Sequence, residues 1–418
     1  MMSQNLQYIK RAIELYLPES TSHKIVLITG ARQTGKTTLV KNKYKDLKYI
    51  NLDAPEYREV IRETPSVRWG IDIGNAIIDE AQKEPSVFEK IKFAFDENKV
   101  NFSVVSGSSQ ILLIKKIRES LAGRVWIYEL FPFLISELTG NLKNNLFHSI
   151  LTGKNFNQIL EKVPSFQINP KGNEKYFEKT FLKYGSMPPI FHLEDENDKK
   201  MWLKNYSHTY LERDLTDLAR LNDLMPFRKF QRLSSLRSGK LLNFSELARD
   251  TGVSVDTARR YFEYLKISYQ TIMIYPFYKN LTSSVIKTPK LYWLDIGLLR
   301  ELTGYWGDII TGEIFETLVI GEFYKYIKTH QLDVNLYFYR TRSRMEVDLM
   351  LEFNDKFLLI EIKNREKVVK SDYRNIKILK EKLKDRFFGG MVIYRGDKIY
   401  KLEESIWAMP FYRLWEVF

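Results

Sequence analysis

The chain contains no cysteine, which excludes disulfide bonds and thiolate metal sites. It has no apolar run approaching the roughly 20 residues that a bilayer-spanning helix requires. The opening residues, MMSQNLQYIKRAIELYLPES, show no basic stretch followed by an apolar block and a small-residue cleavage site, so no secretory leader is expected. Internal repeats and low-complexity tracts are also missing. The expectation is a soluble, cytoplasmic protein without a membrane partner. What is present is a globular balance, 44% apolar and 28% charged residues, sufficient for sizeable cores. With 418 residues, a guide of roughly 150 per domain gives about three domains. The one strong bias is a net charge of +13, which favours a polyanionic partner, nucleic acid ahead of an anionic membrane surface. A merely solvated basic surface is the plain alternative.

The first 145 residues read as a parallel α/β domain. KIVLIT (24–29), AIIDE (76–80), NFSVVS (101–106) and VWIYEL (125–130) are buried-strand patterns. Helical stretches such as TTLVKNKYK and ILLIKKIRESL lie between them, the alternation typical of a parallel sheet. The first strand runs into Gly30-Ala31-Arg32-Gln33-Thr34-Gly35-Lys36-Thr37, followed by Thr38. This is G-x-x-x-x-G-K-[ST] in the strand–loop–helix context that the phosphate-binding P-loop demands. Glycines let the backbone fold round phosphates with N–H groups inward, and the helix N-terminus adds favourable partial charge. Lys36 is expected to neutralise β/γ oxygens of ATP, and Thr37 to ligate Mg²⁺. Asp79, ending the second strand, is the expected Walker-B carboxylate beside that Mg²⁺. Glu80 is placed to orient and deprotonate the attacking water; by itself, such an acid pair would more often be a strand-terminal loop.

Two further positions resemble AAA-type ATPases. Gly107-Ser108-Ser109-Gln110 sits where such enzymes keep a polar sensor of the γ-phosphate, with Ser108 or Gln110 as candidates. Arg124, just before VWIYEL, stands where they place an arginine finger that reaches a neighbouring subunit's ATP and stabilises the developing charge. A surface arginine in a turn is the competing reading.

Residues 146–224 read as a helical lid or connector, with KGNEK and LEDENDKK as loops. In 225–300, three helices (FRKFQRLSSLRSG, FSELARDTG, SVDTARRYFEYLK) precede the strand-rich SYQTIMIYPFYKN, a winged-helix pattern. Ser245 and then Ser254 or Asp256 are candidate helix caps, and Gly252 marks the turn. Arg259 and Arg260 are candidate DNA contacts if the third helix enters a major groove, although many winged helices bind only protein.

Residues 301–418 run helix, three strands, helix, strand. Asp348 lies on EVDLMLEF; Glu361 and Lys363 share one face of LLIEIK because strand side chains alternate. Charge amid such apolar residues is costly unless it is used. Glu316 on IFETLVIGEF can add a third carboxylate, a set suited to Mg²⁺ and phosphodiester cleavage. The pattern resembles the PD-(D/E)XK nuclease superfamily, without the proline usually found before the aspartate.

The whole chain is similar to a prokaryotic family of AAA-type ATPases joined to a C-terminal domain of unassigned function, carried by GARQTGKTTLV, AIIDEAQ, SGSSQ, SLAGRVWIYELFPF, LDIGLLRELTG and GEIFETLVIGEF. The resemblance implies a P-loop α/β core with helical lid, winged helix and a restriction-endonuclease-like end. The combined expectation is a DNA-dependent ATPase, assembled as a hexameric ring, that translocates on or remodels duplex or branched DNA. The rivals are an ATP-gated, metal-dependent nuclease and a signalling-type regulatory ATPase that binds protein.

Overall fold

The computed structural model describes residues 8–107, 121, 123–166, 173–210, 224–277 and 287–418. Among these, no helix is long and apolar enough to cross a membrane. The described residues fold as a mixed α/β protein with two sheets, the first one parallel.

The first sheet has five strands: β1 (Lys24–Thr29), β2 (Lys48–Asn51), β3 (Ala76–Asp79), β4 (Phe102–Ser106) and β5 (Val125–Glu129), ordered β2-β3-β4-β1-β5. All pairings are parallel. The interior strand β1 is covered on both faces, as its unbroken apolar run requires. Ile25 and Leu27 enter one core with Phe88 and Ile91; Val26 and Ile28 enter the opposite one with Leu39 and Val40. Helix α1 (Lys36–Lys43) follows β1, and α2 (Ser86–Asp96) follows β3. The edge strand β2 is not among the strands expected from the sequence. Its four residues, KYIN, carry one fully buried side chain, so no apolar run announces it.

The connector is helical. LEDENDKK is not a loop throughout: Asp195 accepts hydrogen bonds from the Asn197 and Asp198 N–H groups and starts the helix Glu196–Asn205. Glu174 and Lys175, the end of KGNEK, likewise open a helix, Glu174–Tyr184. Acidic residues that look like loop from composition are also what a helix start prefers.

Helices α3 (Met225–Ser235), α4 (Phe244–Thr251) and α5 (Val255–Ile267) precede an antiparallel pair, β6 (Thr271–Pro276) and β7 (Lys290–Trp293). Asn243, not Ser245, caps α4, and Ser254 caps α5. Gly252 has φ +85°, which lets the chain reverse between those two helices. The pair β6–β7 continues into the second sheet, where β6 runs parallel to β8 (Asn335–Arg340). Beyond β8 lie β9 (Glu346–Phe353), β10 (Lys356–Lys363), β11 (Phe387–Tyr394), β13 (Ile406–Pro410) and β12 (Tyr400–Glu403). The strands β12 and β13 follow GMVIYR, the last strand expected from the sequence. Helix α6 (Gly312–Thr329) is apolar round most of its circumference and accordingly buried, and α7 (Arg374–Leu383) packs on β9 and β10. One core joins the connector, α3 to α5, α6 and the final aromatic segment.

Candidate functional site

Gly30 to Gly35 of the expected phosphate loop lie between β1 and α1, and Lys36, Thr37 and Thr38 form the first turn of α1. Gly30 (φ +152°) packs so tightly on the next crossing segment that an added Cβ would come within 2.2 Å of the Leu130 carbonyl oxygen. Gln33 (φ 63°) and Gly35 (φ 93°) take left-handed conformations, which curl the loop. Thr34 Oγ1 donates to the Ala31 carbonyl at 2.8 Å, tying the turn internally. The Arg32 carbonyl accepts from Tyr206 Oη of the connector at 3.1 Å. Thr38 is exposed, while Lys36 is buried and donates to the Gly30 and Ala31 carbonyls at 2.9 and 2.7 Å.

Asp79 closes the site from β3. Its Oδ2 accepts from Thr37 Oγ1 at 2.6 Å and from Tyr49 Oη at 2.8 Å; its Oδ1 accepts from Ser106 Oγ at 2.6 Å. Strand β4 stands between β1 and β3, and this is why its last residue, Ser106, reaches Asp79. Burial, then the charge of Asp79, push the Tyr49 hydroxyl above its ordinary range, so it remains a proton donor. The pair Thr37 Oγ1 and Asp79 Oδ2 supplies hard oxygen ligands suited to Mg²⁺, alongside the phosphate loop. Glu80 has a left-handed backbone (φ 54°) and its carboxylate accepts from Gln82 Nε2 at 2.5 Å.

Sequence reasoning missed four contributors. Tyr49 lies on the unexpected edge strand. Ser106 is overshadowed in the sequence by Ser108 and Gln110, both of which lie outside the described residues. Arg11 is almost fully buried; its guanidinium donates to the Thr34 and Phe131 carbonyls at 2.8 and 2.7 Å and pairs with Glu137 at 3.1 Å. It props the loop from 23 residues upstream, a distance at which no motif registers. Tyr269, just after α5, is hydrogen-bonded to Thr29 Oγ1 at 2.7 Å and donates to Glu129 at 3.1 Å. It thereby joins the residue preceding the phosphate loop to the second half of the chain.

Arg124 Nε pairs with Asp96 at 2.6 Å at the start of β5, where both side chains are about a third exposed. Because β5 is parallel to β1 and Val125 faces Ile25, Arg124 lies at the end of the sheet opposite the phosphate loop. Five residues of strand separate the two levels by roughly 16 Å. Arg259 and Arg260 are both exposed on α5; the Arg259 guanidinium lies 4.8 Å from the Phe244 ring centroid.

The C-terminal residues singled out from sequence do converge. Asp348 Oδ2 accepts from the Ile362 N–H at 2.8 Å and from Lys363 Nζ at 3.1 Å, and Lys363 also pairs with Glu361 at 2.6 Å. Glu316 accepts from Lys290 at 3.0 Å and from Tyr292 Oη at 2.6 Å. Lys290, Tyr292 and Glu346 are not anticipated by any motif. Burial pulls the Lys290 pKa down, but Glu316, Asp348 and Glu346 more than offset it and hold it above the usual lysine range. Burial also raises Asp348, yet Lys363 and Lys290 outweigh that and keep it below the usual carboxylate range. Burial, then the charge of Asp348, push Glu361 up to about 9. Among the described residues, no group of three or more His, Asp or Glu side chains is arranged to hold a metal ion.

With this geometry in view, similarity to known proteins divides along the chain. Residues 22–139 match a family model described as an AAA domain. Residues 176–307 and 311–414 match two models described as domains of unknown function (DUF8612 and DUF4143). An uncharacterized protein of Mycobacterium tuberculosis is 25% identical over 395 residues, spanning 92% of this chain and 80% of the relative. An uncharacterized protein of Methanocaldococcus jannaschii is 26% identical over 412 residues, spanning 91% and 84%. A Walker-type ATPase of Pyrococcus abyssi aligns with a TM-score of 0.41 at 16% identity, over 70% of this chain and 94% of the other. The AAA-domain match and the loop geometry together support an AAA-type P-loop ATPase domain in the N-terminal third.

Proposed function

We propose that this protein hydrolyses ATP and couples the reaction to work on duplex or branched DNA, four-way junctions included, as a hexameric ring. The observation that carries the ATPase part is the convergence of Thr37, Ser106 and Tyr49 on Asp79 beside a phosphate loop. In this reading the backbone of residues 30–38 cradles the phosphates and Lys36 leaves its loop carbonyls for β/γ oxygens. Thr37 and Asp79 hold Mg²⁺, which neutralises phosphate charge when bound. Glu80 orients the attacking water and takes its proton. Ser106 positions Asp79, and Ser108 or Gln110 senses the γ-phosphate. Arg124 lies too far from its own loop to act there, so it serves the site of the next subunit in the ring.

The DNA part is supported by the net charge of +13 and by α3, α4, α5 and the β6–β7 pair, which have the order of a winged helix. Arg259 and Arg260 stand exposed on the third helix of that unit, where a groove-reading helix would carry them. The test is ATP turnover titrated with duplex, forked and junction DNA, with Lys36→Ala as the inactive control. We expect stimulation that fades as salt rises, because phosphate contacts release counterions. Unchanged turnover with all three would overturn DNA coupling and favour protein partners. A second reading, an ATP-gated nuclease with a PD-(D/E)XK-type end, draws on the convergence of Glu316, Asp348, Glu361 and Lys363.

A further inference from the structure

The C-terminal cluster brings four carboxylates together, those of Glu316, Glu346, Asp348 and Glu361. Three side-chain cations already bond to them. Lys290 Nζ lies 3.0 Å from Glu316 and 2.5 Å from Glu346; Arg340 pairs with Glu346 at 3.0 Å; Lys363 bridges Asp348 and Glu361. A divalent ion would add two positive charges to a cluster whose acids are almost balanced. It would also have to displace ammonium groups, since lysine nitrogens with three protons offer a metal no lone pair.

Lys290 is the unexpected member. Its side chain is only 4% exposed, so its charge is held within the fold. Its backbone is clamped on both sides, facing Ile274 across the β6–β7 pair and Leu241 in an isolated bridge. Its ammonium lies 5.5 Å from the Phe338 ring centroid, a further favourable contact. A buried charge held this firmly is stable only with its acidic partners; one of them, Glu316, belongs to the set a nuclease would give to its metal, and Asp348 of that set lies within electrostatic reach.

We infer that Lys290, delivered by β7 from the preceding module, acts with Lys363 as a built-in replacement for the divalent cation, so that this nuclease-like end is metal-independent and does not cut. The inference rests on reading Glu316, Asp348, Glu361 and Lys363 as a nuclease-type constellation. It separates the two readings above by assigning the C-terminal half a role in holding DNA or partner, not in cleaving it.

The experiment is a Mn²⁺ titration followed by electron paramagnetic resonance, with cleavage of plasmid and single-stranded DNA measured in parallel. Full-length wild type, Glu361→Gln, Lys290→Met and Lys290→Met/Glu361→Gln are compared without nucleotide. Wild type and Glu361→Gln should bind Mn²⁺ identically and cut nothing. Lys290→Met should gain binding by about tenfold or more, and the second substitution should remove the gain. If wild type binds Mn²⁺ at a site that Glu361→Gln abolishes, the role of Lys290 is overturned while the constellation stands. That comparison needs no lysine variant and holds even if Lys290→Met does not fold. If folded Lys290→Met gains no Mn²⁺, the constellation itself fails, and the inference with it.

Discussion

Asp79 and Asp348 are both strand carboxylates in polar clusters, the first buried and the second half-buried, but their neighbours differ in kind. Asp79 is met by three hydroxyls, from Thr37, Tyr49 and Ser106. Asp348 is met by a backbone N–H and the Lys363 ammonium, with Lys290 close enough to depress its pKa further. Hydroxyl groups orient a carboxylate and leave its charge to be used by a cation that arrives later. Ammonium groups spend that charge within the fold. The same residue type is thus poised for chemistry in one half of the molecule and committed to stability in the other.

The steepest loss of activity tests whether the first cluster is complete within one chain. Arg124→Ala should lower ATP turnover by about 1000-fold while leaving nucleotide affinity and melting temperature unchanged, since its partner Asp96 is partly exposed. Mixing this variant with Lys36→Ala should restore part of the activity, because each supplies what the other lacks. Absence of rescue in mixed assemblies would show that the arginine does not act between subunits.

A pair of identical substitutions tests the contrast directly. Asp79→Asn should reduce turnover by roughly 100-fold with little change in stability, because the amide oxygen still accepts from Thr37 and Tyr49 and the Ser106 hydroxyl can turn to accept from the amide NH2. Asp348→Asn should leave nucleotide-dependent turnover intact and cost about 2 kcal/mol in chemical denaturation, because it removes one of the two carboxylates that hold the half-buried Lys363 ammonium. Equal losses of stability from both would erase the distinction.

The smallest effect is a pH dependence. Glu361 titrates near 4.5 when unfolded and is pushed up to about 9 in the fold, so the native state binds the extra proton between those values. Its contribution to stability is therefore full below the unfolded value and is lost as pH rises through the folded one. Glu361→Gln, which keeps a neutral group of the same shape, should flatten the decline of melting temperature between about pH 5 and pH 9. A parallel decline in both proteins would place the proton elsewhere.

Much of the N-terminal site is legible in the amino-acid sequence because its chemistry is local. The loop from Gly30 to Thr37 needs its glycines and lysine at adjacent positions, and Asp79 ends an apolar run that only a strand would bury. The β9 and β10 strands are equally legible, since alternation along LLIEIK dictates that Glu361 and Lys363 share a face. Tyr49 is hidden on a short edge strand, and Arg11, Tyr269 and Lys290 have no local pattern to betray them.

The parallel α/β start, the phosphate loop and its acid, and most of the order of helices and strands that follows are written in the amino-acid sequence, because each depends on neighbours a few residues apart. That Ser106 supports Asp79, that Tyr269 ties the loop to the second half, and that Lys290 enters a cluster built mainly on later elements are outcomes of the folded arrangement. Those contacts are set by strand order and core packing, which bring together groups tens to hundreds of residues apart. Burial then makes the choice binding, since a charge or hydroxyl removed from water must find its partner wherever the fold has put one.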